Sequence, residues 1–180
     1  MYMTTAEYLR TPESVLPQEL IHGRLMVADA PLVPHQAAVA DLFRALDAHV
    51  RAHGLGRVWL APLDVILDAG RAIVVQPDLF FVTEARGSIV GDRVHGAPDL
   101  VVEVLSPDPR VGRTDTRLEL FARYDVAECW LAHVPERRLE IVGFGGGVVR
   151  SRRVFVAGAR IVSDVLPRFD VTPGALFAGV

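Results

Sequence analysis

The segment GAPDLVVEVLSP, residues 96–107, decides the fold, because an apolar strand in it carries one acid near its centre. Residues 99–105 are rich in Val and Leu, which predicts a buried β-strand. Ser106 and Pro107 end that strand, since proline cannot donate a hydrogen bond to a neighbouring strand. Glu103 interrupts the apolar run. A buried carboxylate without a partner is costly, so Glu103 is expected to bind a cation of some kind.

A second acid interrupts a second apolar segment, QPDLFFV, residues 76–82. Asp78 and Glu103 would then lie on neighbouring strands in apolar surroundings, an arrangement that suits a hard divalent cation with oxygen ligands. The alternative is that each acid forms a structural ion pair with an arginine. For one buried acid the ion pair is the commoner arrangement, whereas two acids on adjacent strands favour a site.

The remaining elements follow from the spacing of apolar residues and from Gly and Pro. A short helix begins after Thr4, a hairpin turns at Gly23, and a long helix begins at Pro34 and ends at Gly54. Further strands are predicted at 58–67, 72–82, 129–134, 139–144 and from 148 onward, with a helix at 114–124 and a loop and short helix at the end. This order predicts an α/β (α+β) domain built around one mixed sheet.

Length and composition limit the class of protein. The 180 residues, 51% of them apolar, fit a single domain over residues 1–180. No apolar run approaches the ~18 residues of a membrane-spanning helix, and the start of the chain does not resemble a signal peptide. The single cysteine, Cys129, excludes an internal disulfide. We expect a soluble cytoplasmic protein with no membrane partner.

The basic residues number 19 and all of them are arginine; the chain has no lysine. This excludes mechanisms that need a catalytic lysine, such as Schiff-base formation. The net charge of −3 excludes a strongly basic nucleic-acid coat protein. Residues 141–163 carry four arginines and no acid, which predicts either a local phosphate-facing patch or a charged strand edge.

Three segments together resemble the Uma-two family of restriction-endonuclease-like proteins, within the PD-(D/E)xK nuclease superfamily. They are QPDLFFV, GAPDLVVEVLSP and RLELFARYDVAECWL at residues 117–131. The QELIHG segment at 18–23, the His35-Gln36 pair and Leu166-Pro167 add to the resemblance, which runs from about residue 4 to residue 177. It implies a mixed central sheet flanked by helices and the hydrolysis of phosphodiester bonds in DNA.

The resemblance also implies roles for individual residues. Asp78 and Glu103 correspond to the metal-binding acids, and the backbone carbonyl of Val104 to a further ligand, for Mg²⁺ or Mn²⁺. Glu19 corresponds to an N-terminal acid of the active site that would hold a second metal or its water. Residues expected around the site rather than on the metal are Asp99, Gln76 and His35. A homodimer is expected, because two-fold symmetry suits the cutting of two strands.

The lysine of the superfamily would fall at Leu105, and the family is expected to replace it with a lysine on the following helix. Arg117 stands there, and Arg113 stands where the family has an Asp. The two arginines are four residues apart on one helix face and are predicted to contact phosphate or DNA. Arginine seldom loses its proton, although its planar fork binds phosphate well. Two interpretations stay open: an active metal-dependent endonuclease that uses Arg117, or an inactive nucleic-acid-binding or dimerisation module in which Arg117 pairs with Glu103 or Asp99.

Overall fold

A computed structural model describes residues 2–12, 16–105 and 114–179. The helices of these residues are α1 (Thr5–Tyr8), α2 (Val33–His53), α3 (Thr114–Arg123), α4 (Pro173–Leu176) and a 3₁₀ helix (Glu84–Ile89). Their strands are β1 (Gln18–Ile21), β2 (Arg24–Val27), β3 (Gly56–Leu60), β4 (Val65–Asp68), β5 (Ile73–Val75), β6 (Leu79–Thr83), β7 (Val94–His95), β8 (Leu100–Val104), β9 (Glu128–His133), β10 (Arg138–Gly145) and β11 (Val148–Val156).

The strands form two mixed sheets. The small sheet has the order β2-β1-β5-β4-β7 and the large sheet the order β11-β10-β9-β8-β6-β3. Strands β4 and β7 pair in parallel in the small sheet, as β8 and β9 do in the large one. The predicted α/β class, with mixed sheet flanked by helices, is confirmed.

The expectation of one sheet is wrong, because two predicted strands are each divided. The segment 58–67 splits into β3 and β4, and the segment 72–82 splits into β5 and β6. In both cases the two halves belong to different sheets. Pro62 and Pro77 lie at the breaks, where the missing N–H of proline interrupts the hydrogen bonds of a strand.

Helix α2 covers one face of the large sheet. Pro34 lies in its first turn, where the absent N–H costs nothing. Leu42, Leu46 and Val50 are buried at helical spacing and pack in one cluster with residues of β8 and β9. The helix ends at Gly54, whose φ of 60° is the left-handed conformation that glycine adopts readily. No helix in the described part of the chain combines the length and apolarity needed to cross a membrane.

The opposite face of the large sheet packs against α3 and the small sheet. Val101 and Leu131 of the large sheet share a cluster with Leu118 and Phe121 of α3 and with Val65 of the small sheet. The central strands β8 and β9 are therefore covered on both faces, which explains their nearly continuous apolar sequence. Glu103 is the polar exception in β8, and it belongs to the face that meets α3 and the small sheet.

The N-terminal predictions are also confirmed. Thr4 caps α1, and Glu7 completes a capping box with it. Tyr8 of α1 packs with Leu20 and Val74 on the small sheet. Strands β1 and β2 form the predicted hairpin around Gly23.

Candidate active site

Asp78 and Glu103 are brought together by the pairing of β6 and β8. The sequence had suggested that Asp78 lies inside a strand. In the structure it directly precedes β6. Leu79 lies opposite Val102 in this antiparallel pair. The next position in the same register therefore sets Asp78 opposite Glu103, where cross-strand side chains come close.

Glu103 is a poorly solvated carboxyl group, with 13% of its side chain exposed. Its Oε1 accepts a hydrogen bond from Nε of Arg117 at 2.7 Å. Burial raises the pKa of Glu103 to about 8; the negative charges of Asp78 and Glu19 add to the rise, and Arg117 opposes it. Glu103 thus takes up a proton far more readily than a surface glutamate does.

Arg117 bridges Glu103 to a second acid. Its Nη1 donates to Oε2 of Glu19 at 2.8 Å, and its Nη2 donates to Oε1 of Glu19 at 2.9 Å. All three guanidinium nitrogens therefore bind carboxylate oxygens. The ring of Phe121, one helical turn further along α3, lies 5.2 Å from Cζ of Arg117, within cation–π range. Of the two pairings left open by the sequence, Arg117 takes the one with Glu103 and not the one with Asp99.

A hydrogen-bonded network behind Glu19 was not predicted from the sequence. The backbone N–H of Gln76 donates to Oε1 of Glu19 at 2.8 Å, and its side-chain Nε2 donates to Asp64 at 2.9 Å. Asp64 also accepts hydrogen bonds from Tyr8 Oη and Arg93 Nε. Gln76 therefore links Glu19 to a fixed polar cluster. The available sequence signal was Asp64 itself, an acid between Leu63 and Val65.

Asp78 is held by the end of β8 and by the start of α2. Its Oδ2 accepts a hydrogen bond from the backbone N–H of Val104 at 2.7 Å and lies 3.3 Å from Nε2 of His35. Burial lowers the pKa of His35, but hydrogen bonds to Asp78 and to the Val104 backbone outweigh burial, so this pKa is raised. Nδ1 of His35 is buried and has no hydrogen-bond partner among the described residues.

Three oxygen atoms here can serve as ligands of a hard cation. Within the described chain, Oδ1 of Asp78 and Oε2 of Glu103 accept no hydrogen bond, while the other oxygen of each carboxylate is occupied. In a β-strand the C=O of a residue lies on the same edge as its N–H, and the N–H of Val104 donates to Asp78. Two carboxylates and a carbonyl, completed by water and a substrate phosphate, are a ligand set that Mg²⁺ accepts.

The side chains alone do not make a complete metal cluster. No three His, Cys, Asp or Glu side chains within residues 2–12, 16–105 and 114–179 converge to hold a metal ion. A cation between Asp78 and Glu103 would therefore depend on the Val104 carbonyl and on ligands from outside the protein.

Asp99, which was predicted around the site, stands elsewhere. Asp99 precedes β8, about 13 Å along the strand from Glu103. Its carboxylate binds the N–H of Thr83 at 2.8 Å and Nη1 of Arg86 at 2.9 Å, so its contacts are structural. Arg113 lies outside the described residues.

Three of the four arginines of residues 141–163 are paired with acids, and the fourth, Arg150, donates to the backbone carbonyl of Gly145. Arg152 donates to Glu140 at 3.1 Å, and Arg153 donates to Asp164 at 2.9 Å. Arg160 is 2.8 Å from Asp170. The first two lie on β11, which is an edge strand of the large sheet. This favours the charged strand edge over a free phosphate-binding patch.

Glu128 is a further acid of an apolar strand, the first residue of β9. It was not predicted as a candidate, although it adjoins apolar residues as Glu103 does. It is 1% exposed and accepts hydrogen bonds from Trp130 Nε1, Ser163 Oγ and the N–H of Asp164. Its bonds fasten the segment after β11 to the large sheet. A buried acid is thus a candidate for chemistry only when one of its oxygens is left free.

Comparisons with known proteins show the family and the fold. The Uma2 family model, described as "Putative restriction endonuclease", matches residues 5–174. The fold is similar to the crystal structure of a "putative nuclease belonging to DUF820 from Anabaena variabilis", with a TM-score of 0.81, 19% sequence identity and 98% of each chain covered. At that identity the likeness shows the fold alone. No curated protein gives a significant match to the chain.

Proposed function

The chain belongs to the Uma2 family, and on that premise we propose that it hydrolyses phosphodiester bonds in DNA with the help of a divalent metal ion. The observation that carries the proposal is the position of Asp78 beside Glu103, each with one carboxylate oxygen free of hydrogen bonds from described residues. The partly buried setting strengthens the electrostatic interactions of both acids, as charge stabilisation in a transition state requires.

Asp78, Glu103 and the carbonyl of Val104 would hold Mg²⁺ or Mn²⁺. When bound, such an ion supplies a Lewis acid for the phosphate and lowers the pKa of the attacking water. Arg117 would contact the scissile phosphate, because its planar fork suits phosphate oxygens and its charge does not depend on pH. Nη1 and Nη2 each carry a second N–H that would make this contact while the guanidinium stays bound to Glu19 and Glu103.

A second candidate is an inactive relative that binds nucleic acid or dimerises. It is favoured by one observation: every nitrogen of Arg117 is already bound to Glu19 or Glu103, and the chain has no lysine to replace it. For either function we propose a homodimer, whose two-fold symmetry would match the two strands of DNA.

The test is cleavage of supercoiled plasmid with Mg²⁺ or Mn²⁺. We expect the wild type to nick the plasmid, and Asp78→Asn and Glu103→Gln to lower the rate at least about 100-fold, the scale of one catalytic group. Glu119→Gln, at an exposed position of α3, is the matched control and should keep full activity. Equal cleavage by Glu103→Gln and wild type contradicts the proposal. DNA binding without any cleavage by the wild type supports the inactive relative.

A further inference from the structure

We propose that the guanidinium of Arg117 serves as a built-in second cation, so that the site takes one divalent ion and Glu19 binds Arg117 rather than a metal. This inference rests on the proposed function, because it concerns the same acids. It departs from the expectation that Glu19 holds a second metal ion or its water.

The first argument is the place of the guanidinium. It lies between Glu19 of the small sheet and Glu103 of the large sheet and binds both, with N–O distances of 2.7 to 2.9 Å. The guanidinium thus has the role that a second metal ion would have here, that of a cation bound by two carboxylates. The Arg117 side chain is 22% exposed and lies against Phe121, so it is packed in place.

The second argument is the occupancy of the carboxylate oxygens. Oε1 of Glu19 accepts hydrogen bonds from Arg117 Nη2 and from the N–H of Gln76, and Oε2 accepts one from Arg117 Nη1. Glu19 thus has both oxygens in use. Asp78 and Glu103 each have one oxygen that accepts no hydrogen bond from the described residues. The oxygens that accept no hydrogen bond from described residues thus belong to Asp78 and Glu103 and not to Glu19.

The third argument is charge. Glu19, Asp78 and Glu103 carry three negative charges when ionised, and Arg117 neutralises one of them. The two that remain equal the charge of one divalent ion. A second divalent ion would leave two uncompensated positive charges in a poorly solvated site, which is costly.

The experiment is calorimetric titration of the full-length protein with Mn²⁺. We expect one ion per chain for the wild type and for Glu19→Gln, since Glu19 is not a ligand, and none for Glu103→Gln. Arg117→Met releases the oxygens of Glu19 and Glu103 and should raise the count from one to two. Arg123→Met, at an exposed position on the same helix, is the control and should keep one.

Two ions in the wild type, loss of an ion in Glu19→Gln, or a single ion in correctly folded Arg117→Met would overturn the inference. Circular dichroism of each variant checks folding, and Glu19→Gln still tests the inference if Arg117→Met does not fold. Failure of the proposed function gives a different result: no ion in the wild type, or unchanged binding in Glu103→Gln.

Discussion

Glu103 and Glu128 show how two similar buried acids come to have different roles. Glu128 accepts hydrogen bonds from an indole, a hydroxyl and a backbone N–H and lies 3.5 Å from Nη2 of Arg153, so both of its oxygens are in use. Glu103 has a hydrogen bond only from Arg117 within the described chain. A carboxylate that is poorly solvated and only partly compensated binds protons and cations strongly. This property suits Glu103 to metal binding.

The stability of the metal-free protein should report on this carboxyl. The pKa of Glu103 rises from 4.5 to about 8 on folding, so between these values the folded chain keeps a proton that the unfolded chain has lost. The stabilisation from Glu103 is full below the lower pKa and is lost as pH rises through the higher one. We predict that Glu103→Gln removes a downward slope of up to about 1.4 kcal/mol per pH unit in the free energy of unfolding.

Urea denaturation in the presence of a chelator, at several pH values from about 5 to 8, measures this slope. Glu119→Gln, an exposed glutamate on α3, is the control and should retain the wild-type slope. Parallel pH profiles for the wild type and Glu103→Gln would show that the pKa of Glu103 is not raised by folding.

Individual residues of the site were predictable from the sequence to different degrees. Asp78 and Glu103 each interrupt an apolar segment, and this local signal suffices to find them. The second partner of Arg117 could not be found in that way, because Glu19 lies 98 residues away along the chain. That contact exists only because β1 and α3 meet in the folded molecule.

Helix α3 is the element that delivers Arg117. Leu118, Phe121 and Ala122 are its buried residues, and the Phe121 ring both anchors the helix and lies beside the guanidinium. Its amphipathic spacing was readable from the sequence, as was that of α2. The sequence did not predict that each of the two long apolar segments is divided into two strands. Pro62 and Pro77 were available as signals, but neither indicates that the two halves join different sheets.

We predict that Phe121→Ala destabilises the protein by about 3–5 kcal/mol, because it removes a fully buried aromatic ring. Arg123→Ala, exposed on the same helix, should change stability by less than about 0.5 kcal/mol. Urea denaturation of both variants measures the difference. A cost below about 1 kcal/mol for Phe121→Ala would mean that α3 is not held by this contact.

Across the whole molecule, the candidate site lies where the two sheets meet. Glu19 comes from the small sheet, Glu103 from the large sheet, Asp78 from the residue before β6, and Arg117 from α3, which shares an apolar cluster with both sheets. The site therefore exists only in the assembled fold. The arginines of β11 that resemble a phosphate-binding patch in the sequence are mostly occupied by acids.

The position of a bound ion tests the account most directly. We would grow crystals with Mn²⁺ and calculate an anomalous difference map. The account predicts a single peak per chain at this site, between Oδ1 of Asp78 and Oε2 of Glu103 and within about 2.2 Å of the Val104 carbonyl, with Arg117 still bound to Glu19. A map with no peak at these oxygens, or with a second peak at Glu19, would contradict it.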